Sequence, residues 1–177
     1  MVAQHLCGEC PATNTGNVNS EKTNWRGRVS LYAPLFLWIG LIFFLSSGSG
    51  SMSATSKFVR PLLEFLFPTA TEDSLQLMHY YIRKAAHFTE YGILALWAIR
   101  ALRRSSVALI GNHFYIFAGL LVVIVACFDE SYQSFNASRT SSIWDVLLDI
   151  GGGFFAIFMV SIISMALRKK RHSTVPP

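Results

Sequence analysis

Ile116-Phe117-Ala118-Gly119-Leu120-Leu121-Val122-Val123-Ile124-Val125-Ala126-Cys127-Phe128 runs without a break into Asp129-Glu130-Ser131-Tyr132-Gln133. From Ser105 to Phe128 there is no Asp, Glu, Lys or Arg. A hydrocarbon core takes about 20 residues of helix, so this stretch is long enough to cross one. Charges placed directly at the end of such a run are expensive at bilayer depth unless they are paired, hydrated or neutralised. The segment therefore reads as a membrane span with a polar end, and the rest of the chain agrees with it.

The chain has 177 residues, one domain's worth, with 52% apolar and 14% charged residues, against about 25% charged for an ordinary soluble domain. Its mean hydropathy is +0.40. Those values exclude a disordered chain and argue against a soluble globule. The net charge of +5 would suit a nucleic-acid binder, but long uncharged stretches rich in Phe point to a membrane protein with basic loops, and no nucleic-acid partner is expected.

An all-α membrane protein is expected, a bundle of four transmembrane helices plus an interfacial amphipathic helix between spans one and two. The first span covers Leu31 to Ser47 and ends in a Ser/Gly stretch. Lys57 to Pro68 mixes charge with bulky apolar residues and is too short to cross, which suits an interfacial helix. The second span runs from His79 to Leu102, the third is the segment above, and the fourth covers Ile143 to Leu167 with Gly151-Gly152-Gly153 inside it. A glycine run of that kind lets a neighbouring backbone approach closely. Residues 1–24, rich in Asn, Thr, Gly and Ser, read as a disordered tail, 25–167 as the membrane domain, and 168–177 as a basic tail.

Orientation comes from the cations. Lys22, Arg26 and Arg28 precede span one, Arg100, Arg103 and Arg104 follow span two, and Arg168 to Arg171 follow span four. In a four-span topology all three clusters fall on one side, so both termini are expected in the cytoplasm. Cys7 and Cys10 form a lone C-x-x-C with no second ligand pair at metal spacing, and Cys127 reads as a small buried hydrophobe.

Five of the ten carboxylates, Glu90, Asp129, Glu130, Asp145 and Asp149, lie inside or at the lip of these spans. Each would cost about 2.5–3.5 kcal/mol at a helix centre, so they need partners. Arg83, Lys84 and His87 enter span two at the same depth, and Arg139 lies in the loop before span four. Arg83, His87 and Glu90 share one helical face, Asp129 and Gln133 are four apart, and so are Asp145 and Asp149. Three helices thus turn polar stripes toward one outward-opening cavity. The set could be a network of ion pairs that fixes helix register. It could equally hold an anionic head group between Arg83, Lys84 and Arg139, with His87 exchanging protons. A divalent metal on His87, Glu90 and the aspartates is the remaining reading, which the nearby cations argue against. No cofactor and no metal are expected.

The three blocks Arg83-Lys84-x-x-His87-Phe88-x-Glu90-Tyr91, Asp129-Glu130-x-x-Gln133-x-Phe135 with Arg139, and Asp145-x-x-x-Asp149-x-x-Gly152 together resemble the VanZ-like family of small bacterial membrane proteins. The resemblance covers residues 31 to 167 and includes Ser46-Ser47; Asp149 stands where the family more commonly has Asn. It implies an integral membrane protein whose namesake is linked to low-level resistance to teicoplanin, a lipid-bearing glycopeptide. It also implies a shared polar signature of Arg83, Lys84, His87, Glu90, Asp129, Glu130, Gln133, Arg139, Asp145 and Asp149, with no settled reaction. Two functions stay open. One is a non-catalytic envelope factor whose site binds an anionic envelope lipid or lipoglycopeptide; the other is a membrane-embedded enzyme that turns over a lipid-linked or phosphate-bearing substrate by His/Glu acid-base chemistry. Membrane lipids are partners on either reading, and the oligomeric state is not legible.

Overall fold

Local chemistry fixes several helix ends. Thr71 accepts a hydrogen bond from the Ser74 amide, and Glu72 and Asp73 occupy the first turn, where the helix dipole favours negative charge. Ser142 plays the same part downstream: its hydroxyl accepts from the Trp144 amide at 3.3 Å, with Asp145 in the turn that follows. The computed structural model describes residues 16–47, 52–134 and 142–173, all helix and connecting turns with no strand among them. In order these are α1 (Gly16–Ser46), α2 (Met52–Leu66), α3 (Glu72–Leu102), α4 (Ala108–Asn112), α5 (Phe114–Ser134) and α6 (Ile143–Ser173).

Among the described residues, three helices are long and apolar enough to cross a membrane: Trp25–Ser46 of α1, Phe114–Ser134, and Ile143–Lys170 of α6. The helix α3 has 31 residues, about 46 Å at 1.5 Å per residue, but Arg83, Lys84 and Glu90 interrupt its apolar run. Its position explains how it is accommodated. Of all helix pairs α3 and α6 pack most extensively, and α3 also meets α1, α2 and α5. Tyr91, Leu94, Ala95, Ala98 and Ile99 of α3 form one buried core with Val122 and Ala126 of α5 and with Leu35 and Ile42 of α1. The greasy helices meanwhile turn Phe36, Phe44, Ile116, Phe128, Phe155 and Phe158 outward. The most polar long helix thus packs against the least polar ones, and Arg83, Lys84 and Glu90 are partly buried.

Glycine sets how closely α3, α5 and α6 approach. A Cβ at Gly152 would fall 2.9 Å from the carbonyl carbon of Phe88 and 3.0 Å from its Cα, and one at Gly153 would fall 2.5 Å from Val122 Cγ1. Gly92 faces Gly152 from the other side, its own Cβ position lying 3.5 Å from the Gly152 carbonyl oxygen. Here the glycine run serves packing, as small residues do between membrane helices.

At the opposite end of the bundle the cations gather. Arg100 donates to the Ser30 carbonyl at 3.4 Å, and Arg103 and Arg168 line one cavity of about 210 Å³ with Phe114, Tyr115, Ser164 and Leu167.

Several boundaries differ from those expected. The third span begins at Phe114 rather than Ser105, because the chain turns after Leu102 and makes the separate short helix α4 first. The expected second span, α3, starts at Glu72, about two turns before His79, where Thr71 caps it. The helix α1 begins at Gly16, taking in residues 16–24 of the stretch read as tail, and α6 carries the basic cluster on to Ser173. Cys127 is exposed, not buried: in so thin a bundle α5 keeps one face outward, and an apolar residue on that face needs no cover. Cys7 and Cys10 lie outside the described residues.

Candidate functional site

Three helices deliver their polar residues to one end of the bundle, away from Arg100, Arg103 and Arg168. Where α6 begins, Glu130 of α5 accepts a hydrogen bond from the Ser142 amide at 2.6 Å. A side chain of one helix thereby caps the start of the next and sets the height at which Asp145 and Asp149 enter. The Gly152–Phe88 contact then brings α6 against α3 about a turn further in. Between these two fixed points the side chains of α3 and α6 meet.

Lys84 is bonded to Asp145, both partly buried. One turn deeper, His87 Nδ1 lies 3.8 Å from Glu90 Oε2 on its own helix and 3.8 Å from Asp149 Oδ1 on α6. Asp129 of α5 is fully buried, and Asp149 is 2% exposed. Gln133 donates to Asp129 Oδ2 at 2.8 Å and to the Ser46 hydroxyl of α1 at 3.2 Å, so α1 closes the group from the fourth side. Tyr91 is also fully buried, and its hydroxyl makes no hydrogen bond among the described residues. From α1, Trp38 donates through Nε1 to the Glu90 carbonyl at 2.9 Å and ties the backbone of α3 at the site.

Lys84, His87, Glu90, Asp129, Gln133, Asp145 and Asp149 are therefore brought together, and Glu130 supports them at the helix start. Arg83 is half-buried on the preceding residue of α3; the cation that reaches α6 is Lys84, although Arg83 shares the His87–Glu90 stripe by spacing. Arg139 lies outside the described residues. Ser46 and Tyr91 belong to the motifs that carry the family resemblance but not to the expected polar set, and Trp38 and Ser142 belong to neither. Tyr91 follows His87 by one turn on the same face, which is the signal that could have included it. Nothing in an apolar first span marks Trp38 or Ser46 as bonded across helices.

Chemically this is a buried acidic nest with one imidazole and a lysine–aspartate pair beside it. It can hold protons, bind a cation, or orient an anion through the lysine and histidine.

Residues 31–164 match the family model described as VanZ/LLP1. The chain belongs to the VanZ/LLP1 family. The match begins in the apolar part of α1 and ends in α6, so every described residue of the polar group lies inside the family region. No curated protein and no solved structure matches the chain.

Proposed function

We propose that this VanZ/LLP1-family protein crosses the bacterial cytoplasmic membrane four times, with α3 as the fourth span and α2 lying at the interface. Both termini are cytoplasmic, and the acidic end of the bundle opens to the outer face. There it engages an anionic, lipid- or phosphate-bearing component of the envelope and alters susceptibility to lipoglycopeptides such as teicoplanin. The observation that carries the reading is the convergence of polar side chains from α3, α5 and α6 at the end of the bundle opposite the arginine clusters. Basic residues favour the cytoplasmic side, which puts this group within reach of envelope material, and intramembrane ionisable clusters of this size usually serve a ligand.

The lysine–aspartate pair gives the test. Lys84→Ala alone strands Asp145 and lowers stability; adding Asp145→Asn removes the stranded charge. The double variant is expected to recover membrane abundance and thermal stability yet to lose the effect on teicoplanin susceptibility. Recovery of both would make the cluster a register-fixing network and end the ligand-site reading.

A catalytic version is supported by a specific feature, the His87 imidazole set equally far from two carboxylates, an arrangement able to take up and release a proton. Turnover of a defined envelope lipid by the purified protein, lost in His87→Ala with folding intact, would favour it; absence of turnover favours the binding role.

A further inference from the structure

His87, Asp129 and Asp149 come from three different helices, yet each offers one ligand atom within 4.8 Å of the other two. Both aspartates are buried, and Asp149 Oδ1 accepts no hydrogen bond among the described residues. A charged carboxylate left so in an apolar bundle is costly, and a cation at that oxygen is one way to relieve it. Lys84 does not supply it, being bonded to Asp145 one turn away. His87 Nδ1 does not complete it either, since 3.8 Å is too long for a hydrogen bond. The gap is a few tenths of an ångström wider than another arrangement needs: two ligands on one tetrahedral cation, each with a bond of about 2.1 Å, stand about 3.4 Å apart.

We propose that His87, Asp129 and Asp149 bind a divalent first-row cation, Mn²⁺ or Zn²⁺. The donor set supports that class. One imidazole nitrogen with carboxylate oxygens suits these ions, whereas Ca²⁺ calls for six or more oxygens and copper(I) for sulfur. The surroundings resemble those of a metal site as well. Gln133 holds Asp129 by Oδ2 from outside, as an outer-shell partner holds a ligand in place. Glu90 Oε2 stands 3.8 Å from His87 Nδ1 and is within reach as a further donor. The His87 side chain is 18% exposed against 3% for Asp149, so the imidazole edge is the side from which a cation would enter. The sequence reading set a metal aside because cations stood nearby; in the structure Lys84 is engaged by Asp145. The inference deepens the function proposed above, because a bound cation would let an acidic nest hold an anionic head group.

The test uses the full chain purified in detergent and the metal alone, so its outcome is independent of the susceptibility phenotype. Titration with Mn²⁺ followed by electron paramagnetic resonance is expected to give one ion per chain, and the spin-echo spectrum to carry the coupling of one imidazole nitrogen. Asp149→Asn and Asp129→Asn should weaken binding at least about 100-fold, and Gln133→Leu by about 10- to 100-fold. Without metal, Asp149→Asn should unfold at the same or a higher temperature than wild type, since it removes a buried charge, and it should lose the upward shift that Mn²⁺ or Zn²⁺ gives the wild type. Failure of the folded wild type to bind either ion at about 1 mM and neutral pH overturns the proposal, as does unchanged affinity in Asp149→Asn. Should the variants not fold, the wild-type spectrum decides alone: bound Mn²⁺ that shows no imidazole nitrogen coupling, or that Zn²⁺ does not displace, also overturns it.

Discussion

Replacing Gly152 with alanine would set a methyl carbon 2.9 Å from the carbonyl carbon of Phe88 and 3.0 Å from its Cα. Ordinary contact at such a carbon begins at 3.4 Å, so α3 and α6 would have to part by at least about 0.5 Å. Overpacking usually costs about 1–3 kcal/mol. Phe88 opposes the new methyl with backbone, which cannot rotate aside, so about 3 kcal/mol is the expected loss, a large share of a total stability of about 5–15 kcal/mol. The neighbours supply controls. At Gly151 the nearest atom is Phe88 Cε2 at 4.0 Å, and Gly151→Ala should stay within about 1 kcal/mol of wild type. At Gly153 the obstruction is the Val122 side chain at 2.5 Å, so Gly153→Ala should be destabilising and rescued by Val122→Ala. No side-chain truncation at Phe88 should rescue Gly152→Ala. Thermal unfolding of the full chain in detergent, followed by circular dichroism, measures all of these. Equal midpoints for Gly152→Ala and Gly151→Ala would refute the close α3–α6 seam and, with it, the placement of His87 against Asp149.

Trp38→Phe removes the indole donor to the Glu90 carbonyl and should cost about 1 kcal/mol in the same unfolding assay. Ser142→Ala deletes the hydroxyl that accepts from Trp144 at the start of α6, and about 1 kcal/mol is again expected, with faster amide exchange confined to the first turn of that helix. Cysteines introduced at positions 70 and 172 should label oppositely with an impermeant reagent applied from outside, position 70 reacting and position 172 not; the reverse pattern would put the acidic end in the cytoplasm.

Much of the molecule was legible because bilayer solvation acts on composition rather than on partners. An uncharged run of the length of Phe114–Phe128 has few places to go but lipid, and the same holds for the apolar parts of α1 and α6. Membership of the polar group was legible for a related reason, since a carboxylate such as Asp149 in an apolar helix must find company. Helix ends were less so. The break at His113 that separates α4 from α5 has no proline or charge near it from Ser105 to Phe128 to mark it, and apolar content continues across it.

The sequence by itself determined that three helices would bring acids and bases to a common depth, because residues four apart share a face and spans of similar length align their ends. It could not determine which base meets which acid. By spacing, Arg83 belongs with His87 and Glu90; in the folded chain Lys84 takes Asp145, and His87 stands between Glu90 and Asp149. Those pairings depend on the rotation and separation of α3 and α6. Both are settled by contacts far apart in the chain: the Phe88 backbone against Gly152, the Trp38 indole on the Glu90 carbonyl, and Glu130 on the first amide of the last helix. A change of a fraction of an ångström at the glycine seam decides whether three ligand atoms converge, and only the packed structure sets that distance.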